Sequence, residues 1–148
     1  MTIIKSTKQI AAPAESVYQA AKNVEKFAEL LPNLDRVTIL EDDGTGHTTT
    51  RWEGTVSIGP LTRQLAWTER DYWDDAQRTC TFELVEGDMK KYEGTWTFAQ
   101  MDNGCLVELN VEFELGIPLL GPMLGKIVDQ LMQANCDQLL VALAELAT

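Results

Sequence analysis

A chain of 148 residues with 45% hydrophobic and 24% charged side chains has the make-up of one soluble globular domain, residues 1–148, with a genuine core. Its formal net charge of −11 opposes direct nucleic-acid binding and simple adsorption to anionic lipid, and its lysines and arginines are scattered. No apolar run reaches the roughly eighteen residues of a membrane span, and MTIIKSTKQIAAPAESV lacks the basic and apolar blocks of a secretory signal.

In chain order, residues 2–10 carry enough β-branched side chains for a first strand. Ala12-Pro13-Ala14-Glu15 reads as a helix start, with proline in the first turn and an early carboxylate facing the helix dipole. Asn23 is the expected N-cap of a second short helix through Phe27, Leu30 and Leu31, which Pro32 ends. Strands then follow one another over 37–41, 48–58, 63–73, 78–85, 91–100 and 105–115, separated by turn strings such as Asp42-Asp43-Gly44-Thr45-Gly46 and Asp102-Asn103-Gly104. In the last of them Val107, Leu109, Val111, Phe113 and Leu115 alternate with polar residues, so one face meets the core and the other water. Hairpin-length turns make the sheet antiparallel.

The segment from Pro118 to Ala147 is the only one long and periodic enough for a major helix, about 40 Å at 1.5 Å per residue. Met123, Leu124, Ile127, Val128, Leu131, Leu139, Ala142 and Leu146 form its apolar stripe, with Lys126, Asp129, Gln130, Gln133 and Asp137 on the other side. An aspartate at position 131 is accordingly expected to abolish folding. Pro122 suits the first helical turn, and Leu119, Leu120, Met123 and Leu124 make an apolar rim: a cavity mouth, a docking patch for a partner or membrane surface, or a plain cap on the core.

This order of elements, with the strings AAPAESVYQAAKNVEKFAELLPNLDRVTILE, WTERDYWDDAQRTCTFELVEGDMKKYEGTWTF and VEFELGIPLLGPMLGKIV, resembles the START-like helix-grip (SRPBCC) superfamily. The polyketide cyclase/dehydrase and coenzyme Q-binding branch is the nearest in pattern. The resemblance implies an α+β helix-grip fold: a curved antiparallel sheet of about seven strands around a long C-terminal helix, with two short helices after the first strand. It also implies an apolar cavity for a lipid, isoprenoid or polyketide-like molecule.

Candidate site residues follow from the faces of the elements. Trp52, Trp67, Phe82, Tyr92, Trp96 and Phe98 concentrate aromatic rings in the middle strands, as cavity lining or as plain core. From the helix, Met123, Ile127, Leu131 and Asn135 complete the expected ligand-binding set. Asn135 sits within the apolar arc, where its amide meets a ligand, a strand backbone or a buried water. Gly94, between inward aromatics, marks a bend or a close backbone approach.

Glu69 and Asp71 share a face with Leu65 and Trp67, while Thr68, Arg70 and Tyr72 occupy the other; polar residues on both leave the inward face open. Turned inward, either carboxylate, or Tyr92, is a candidate for general acid–base chemistry of the aldol-cyclisation or dehydration type. The single histidine, His47, lies in a hairpin turn, which speaks against a nucleophilic triad and a histidine metal site. Neither metal nor cofactor is expected. Cys80, Cys105 and Cys136 lack paired spacing and read as buried free thiols of a cytoplasmic protein.

The leading expectation is a binding or carrier protein for a hydrophobic small molecule, with no direct nucleic-acid partner. The alternatives are an aromatase/cyclase- or dehydratase-type enzyme and a macromolecular interaction module of the same fold.

Overall fold

The computed structural model describes residues 2–58, 60–115 and 122–148, with side chains for all of these except 58, 61 and 122–124. Strand β1 (Thr2–Ile10) is followed by helix α1 (Ala14–Lys22), a 3-10 turn (Val24–Lys26) and the short helix α2 (Phe27–Leu30). Then come β2 (Leu34–Asp42), β3 (His47–Ile58), β4 (Leu61–Asp74), β5 (Thr79–Gly87), β6 (Met89–Met101), β7 (Gly104–Leu115) and helix α3 (Pro122–Ala147). The described strands form one antiparallel sheet in the order β1-β7-β6-β5-β4-β3-β2. The first strand thus pairs with the last, and α3 lies in the trough of the sheet. This is the helix-grip fold.

The alternation in β7 has the expected outcome: Cys105, Val107, Leu109, Val111 and Phe113 are buried. At α1 the proline stands one place earlier than expected. Pro13 occupies the cap position, and the Gln100 side chain accepts a hydrogen bond from the Ala14 amide at 2.8 Å. Asn23 does not cap with its side chain; its backbone carbonyl instead accepts from the Lys26 amide at 3.0 Å, closing the 3-10 turn.

Helix α3 is rotated by roughly a quarter turn from the stripe drawn from sequence. Its buried line is Val128, Cys136, Leu140, Ala142 and Leu143, whereas Ile127 is 37% exposed and Leu131 is half-buried outside the core. The cause lies in residues expected to face water. Thr2 Oγ1 donates to Asp129 at 2.8 Å, Ser6 Oγ donates to Asp137 at 2.5 Å, and the Gln133 amide donates to the Lys5 carbonyl at 3.2 Å. These bonds fasten one polar flank of α3 to the edge strand β1 and turn the apolar line toward the sheet. The side chains of Met123 and Leu124, like residues 116–121, lie outside the described ones. A Cβ at Gly125 would meet nothing within 4 Å.

The core has two ends. Beneath α1 it is filled: Tyr18 meets Trp73 and Phe98 edge-on at 5.7 and 5.5 Å, and donates a 2.6 Å hydrogen bond to Asp75. Toward the β3–β4 side it is hollow.

Gly94 sits where β6 leaves β5. Pairing between these strands covers Thr79–Glu83 against Glu93–Thr97 and stops there. A Cβ on Gly94 would overlap the Asn110 carbonyl oxygen and stand 2.7 Å from the Phe82 ring. Gly94→Ala is therefore expected to lower stability by about 1–3 kcal/mol through overpacking and a backbone shift. A urea midpoint equal to that of the parent would show that the sheet absorbs the methyl group.

Candidate functional site

The hollow end encloses a cavity of about 440 Å³, within the range of small-molecule pockets. Its floor is the inner face of β3–β7, its roof is α3 at Met132, Asn135, Cys136 and Leu139, and one side is the connection Leu31–Leu34. Rings dominate the floor. Trp52 and Trp67, directly paired across β3 and β4, stack at 6.0 Å with 5° between planes. Tyr92 follows at 5.2 Å from Trp67 and 5.3 Å from Phe82, and Trp96 completes the wall.

Strand β4 turns its acidic face inward. Trp67, Glu69, Asp71 and Trp73 point to the core side while Arg70 and Tyr72 point out, and Glu69 and Asp71 are each only 5% exposed. Opposite Glu69 the β4–β5 register slips by one residue, a bulge that re-aims side chains. Gly87 helps place the neighbouring ring. With φ +147° it lies so close to Trp67 that a Cβ would stand 2.6 Å from the Trp67 Cα.

The two buried carboxyls are neighbours, and a hydrogen bond between them requires a proton on one of the two. Burial first, and then the charge of Asp71, push Glu69 well above the ordinary carboxylate range. Burial raises Asp71 as well, opposed by hydrogen bonds from Glu69, Thr50 and Thr48. Both carboxyls are thus pushed toward their protonated forms. Trp67 Nε1 donates to Glu69 at 2.9 Å and Thr50 Oγ1 donates to Asp71 at 2.8 Å. Trp52 Nε1 in turn donates to the Thr50 hydroxyl at 3.0 Å.

Of the cavity's polar side chains without a hydrogen-bond partner among the described residues, two are withdrawn from solvent, Asn33 and Gln138 being exposed. The Tyr92 hydroxyl belongs to a side chain only 8% exposed, and burial together with the charge of Glu69 raises its pKa. The Asn135 amide, half-buried on α3, is the other. The expectation that it ties the helix to a strand is not met; Asp129, Gln133 and Asp137 make those ties. The Cys136 thiol, also on the cavity, is pushed up to about 12 by burial and stays protonated.

Of the residues singled out from sequence, Trp52, Trp67, Glu69, Phe82, Tyr92, Trp96 and Asn135 converge on this space, and Asp71 stands behind Glu69. Three do not. Phe98 is taken up by Tyr18 and Trp96 in the filled end, Ile127 faces solvent, and Leu131 is turned off the cavity by the rotation of α3. Met123 falls outside the described side chains. Met89, Leu31, Leu34, Val56 and Met132 line the cavity without having been anticipated. His47 is distant, pairing with Asp43 at 3.2 Å and lying against Tyr72 on the outer face. There a wider depression of about 590 Å³ is bordered by Arg70, Glu83, Glu93 and Glu112. Among the described residues no group of three or more His, Cys, Asp or Glu side chains is arranged to hold a metal, and no helix is long and apolar enough to cross a membrane.

Residues 10–140 match the family described as polyketide cyclase/dehydrase and lipid transport. The chain belongs to that family. A Thermus thermophilus protein of known structure, TTHA0849, is 34% identical and superposes with a TM-score of 0.90 over 99% of this chain and 97% of its own. The Zhui aromatase/cyclase of Streptomyces sp. R1128 shares the fold at 22% identity, with a TM-score of 0.84 over 99% of this chain and 93% of that one. In sequence, the ribosome association toxin RatA of Escherichia coli K12 is 25% identical over 132 residues, 88% of this chain and 80% of the toxin. Membership in the polyketide cyclase/dehydrase and lipid transport family agrees with a sheet and helix enclosing an apolar space.

Proposed function

We infer that this protein binds a hydrophobic small molecule between the sheet and α3, as a binding or carrier protein. The observation that carries this reading is a hollow of about 440 Å³, walled by rings and supplied with polar groups, Tyr92 Oη and the Asn135 amide, that no described residue satisfies. Apolar walls give affinity, and a few fixed polar groups give orientation. Native mass spectrometry of freshly purified protein is expected to show a co-purified hydrophobic molecule. Asn135→Trp, which fills the space from the roof, should lose that adduct while unfolding as cooperatively as the parent. An adduct retained by the plugged variant, or a parent that takes up no neutral hydrophobic dye, would sink the reading.

A second reading, a cyclase- or dehydratase-type enzyme, is favoured by the buried carboxyls Glu69 and Asp71, both pushed toward protonation, beside Tyr92. A buried carboxyl that stays protonated is a competent general acid. Single replacements Glu69→Gln, Asp71→Asn and Tyr92→Phe would each abolish turnover of a bound polyketide-like substrate; unaltered turnover in all three excludes this chemistry. Docking on a ribosome, by analogy with the toxin relative, ranks third, because a net charge of −11 opposes contact with an RNA backbone.

A further inference from the structure

The cavity is electrostatically one-sided. A buried carboxyl, Glu69, stands at its floor with the buried Asp71 behind it, and no lysine, arginine or histidine is among the described residues that line it. The titratable groups facing the pair are Cys80 from β5, Tyr92 from β6 and, across the cavity, Cys136 from α3, none of them a cation. From β3 come only the hydroxyls of Thr48 and Thr50. With no counter-charge at hand, burial pushes the pair toward protonation.

We propose that the cavity accepts a hydrophobic primary amine, its ammonium seated at Glu69 between the faces of Trp67 and Tyr92. This rests on the reading of the cavity as a small-molecule site and assigns the charge of its ligand. A buried acid is satisfied by a proton or by a paired cation. The ammonium has three N–H donors to place, and Glu69, the unpartnered Tyr92 hydroxyl and the Asn135 carbonyl oxygen supply three acceptors on one cavity. The stacked Trp52 and Trp67 and the adjoining Tyr92 present the electron-rich surface that attracts a desolvated cation. Tyr92 is the independent pointer: its side chain is more than nine-tenths buried, lines the space and leaves its hydroxyl without a partner among the described residues. Fatty acids and other carboxylates are excluded on the same grounds, since their charge would meet two acids and no base. Proton balance is simple: the ammonium enters with its charge, a proton held by Glu69 or Asp71 leaves to solvent, and no covalent bond changes.

The test uses three probes of one shape, naphthylethylamine, naphthylethanol and naphthylacetate, titrated calorimetrically into the full chain at neutral pH. The amine is expected to bind at least about tenfold more tightly than the alcohol, from the cation–π and ion-pair contributions of a desolvated site. The acid should give no measurable heat. Repeating the amine titration in two buffers of different ionisation enthalpy should reveal release of up to one proton per ligand, which a purely packing role of the pair would not produce. In Glu69→Gln and in Asp71→Asn the ratio of amine to alcohol affinity should fall toward one. An alcohol that matches or exceeds the amine, or an acid that binds as well, overturns the assignment of charge and leaves the cavity reading intact. If none of the three binds, the cavity reading falls and this inference with it.

Discussion

Leu143→Asp is expected to leave the chain unfolded at room temperature, while Leu131→Asp folds. Leu143 is fully buried on the inward line of α3, with Leu140 beside it at 1% exposure. An unpaired carboxylate there costs several kcal/mol or forces its own protonation, and the lost packing adds about 2–5 kcal/mol. Against a typical domain stability of about 5–15 kcal/mol, that is enough to empty the native state. Leu131, by contrast, is half-buried and lies outside the core, so its aspartate keeps access to water. Circular dichroism and thermal unfolding of the two variants decide the matter. Loss of structure in both would place Leu131 in the core beside Leu143, and survival of both would place the α3 core contact elsewhere.

The second large effect is a dependence of stability on pH that runs opposite to ordinary acid denaturation. Glu69 and Asp71 hold their proton in the folded state at pH values where the unfolded chain, with carboxyl pKa values of about 4, has released it. The folded state therefore binds more protons than the unfolded one, and the pair's contribution to stability falls as pH rises from there through the raised folded pKa. The limiting slope is about 1.4 kcal/mol per pH unit for each proton retained. Glu69→Gln cannot ionise, and its amide can still donate to Asp71. Its stability relative to the parent should thus climb with pH across that window. Surface carboxylates held low by their partners, such as Glu15, Asp75 and Glu108, act alike in both proteins and cancel in the difference. Urea midpoints measured from mildly acidic to alkaline pH should therefore diverge. Parallel curves would mean that the pair carries no proton in the native state.

Much of the fold was legible because its rules are local. The alternation of Val107 to Phe113, the turn strings at 42–46 and 102–104 and the helix-breaking Pro32 each act within a few residues. The sites that resisted were those decided at a distance. Nothing within β4 says that Glu69 and Asp71 go inward, because Arg70 and Tyr72 make the other face equally polar. What decides is the register that sets Trp67 opposite Trp52, and the hydroxyl of Thr50 arriving from β3. The helix stripe is a quarter turn off because Asp129, Gln133 and Asp137 read as a solvent face, whereas they bind an edge strand more than a hundred residues away. Phe98 shares its face with Trp96 and Tyr92, and only the arrival of Tyr18 from α1 assigns it to the filled end. Asn135 was legible for a simple reason: a lone amide in an apolar arc is conspicuous in any register.

The pairing of β1 with β7, reinforced by the bonds that Thr2 and Ser6 donate to α3 and the one that the Lys5 carbonyl accepts from it, carries a consequence for biosynthesis. Within this domain the first strand synthesised waits for the last, since Thr2 pairs with Phe113 and bonds to Asp129. Contacts spanning nearly the whole sequence place this chain among slow folders. Until α3 emerges, the apolar trough of the sheet stands open on the nascent chain, a state exposed to aggregation. Folding of the domain is completed only when β1 has met both β7 and α3, elements from opposite ends of this sequence.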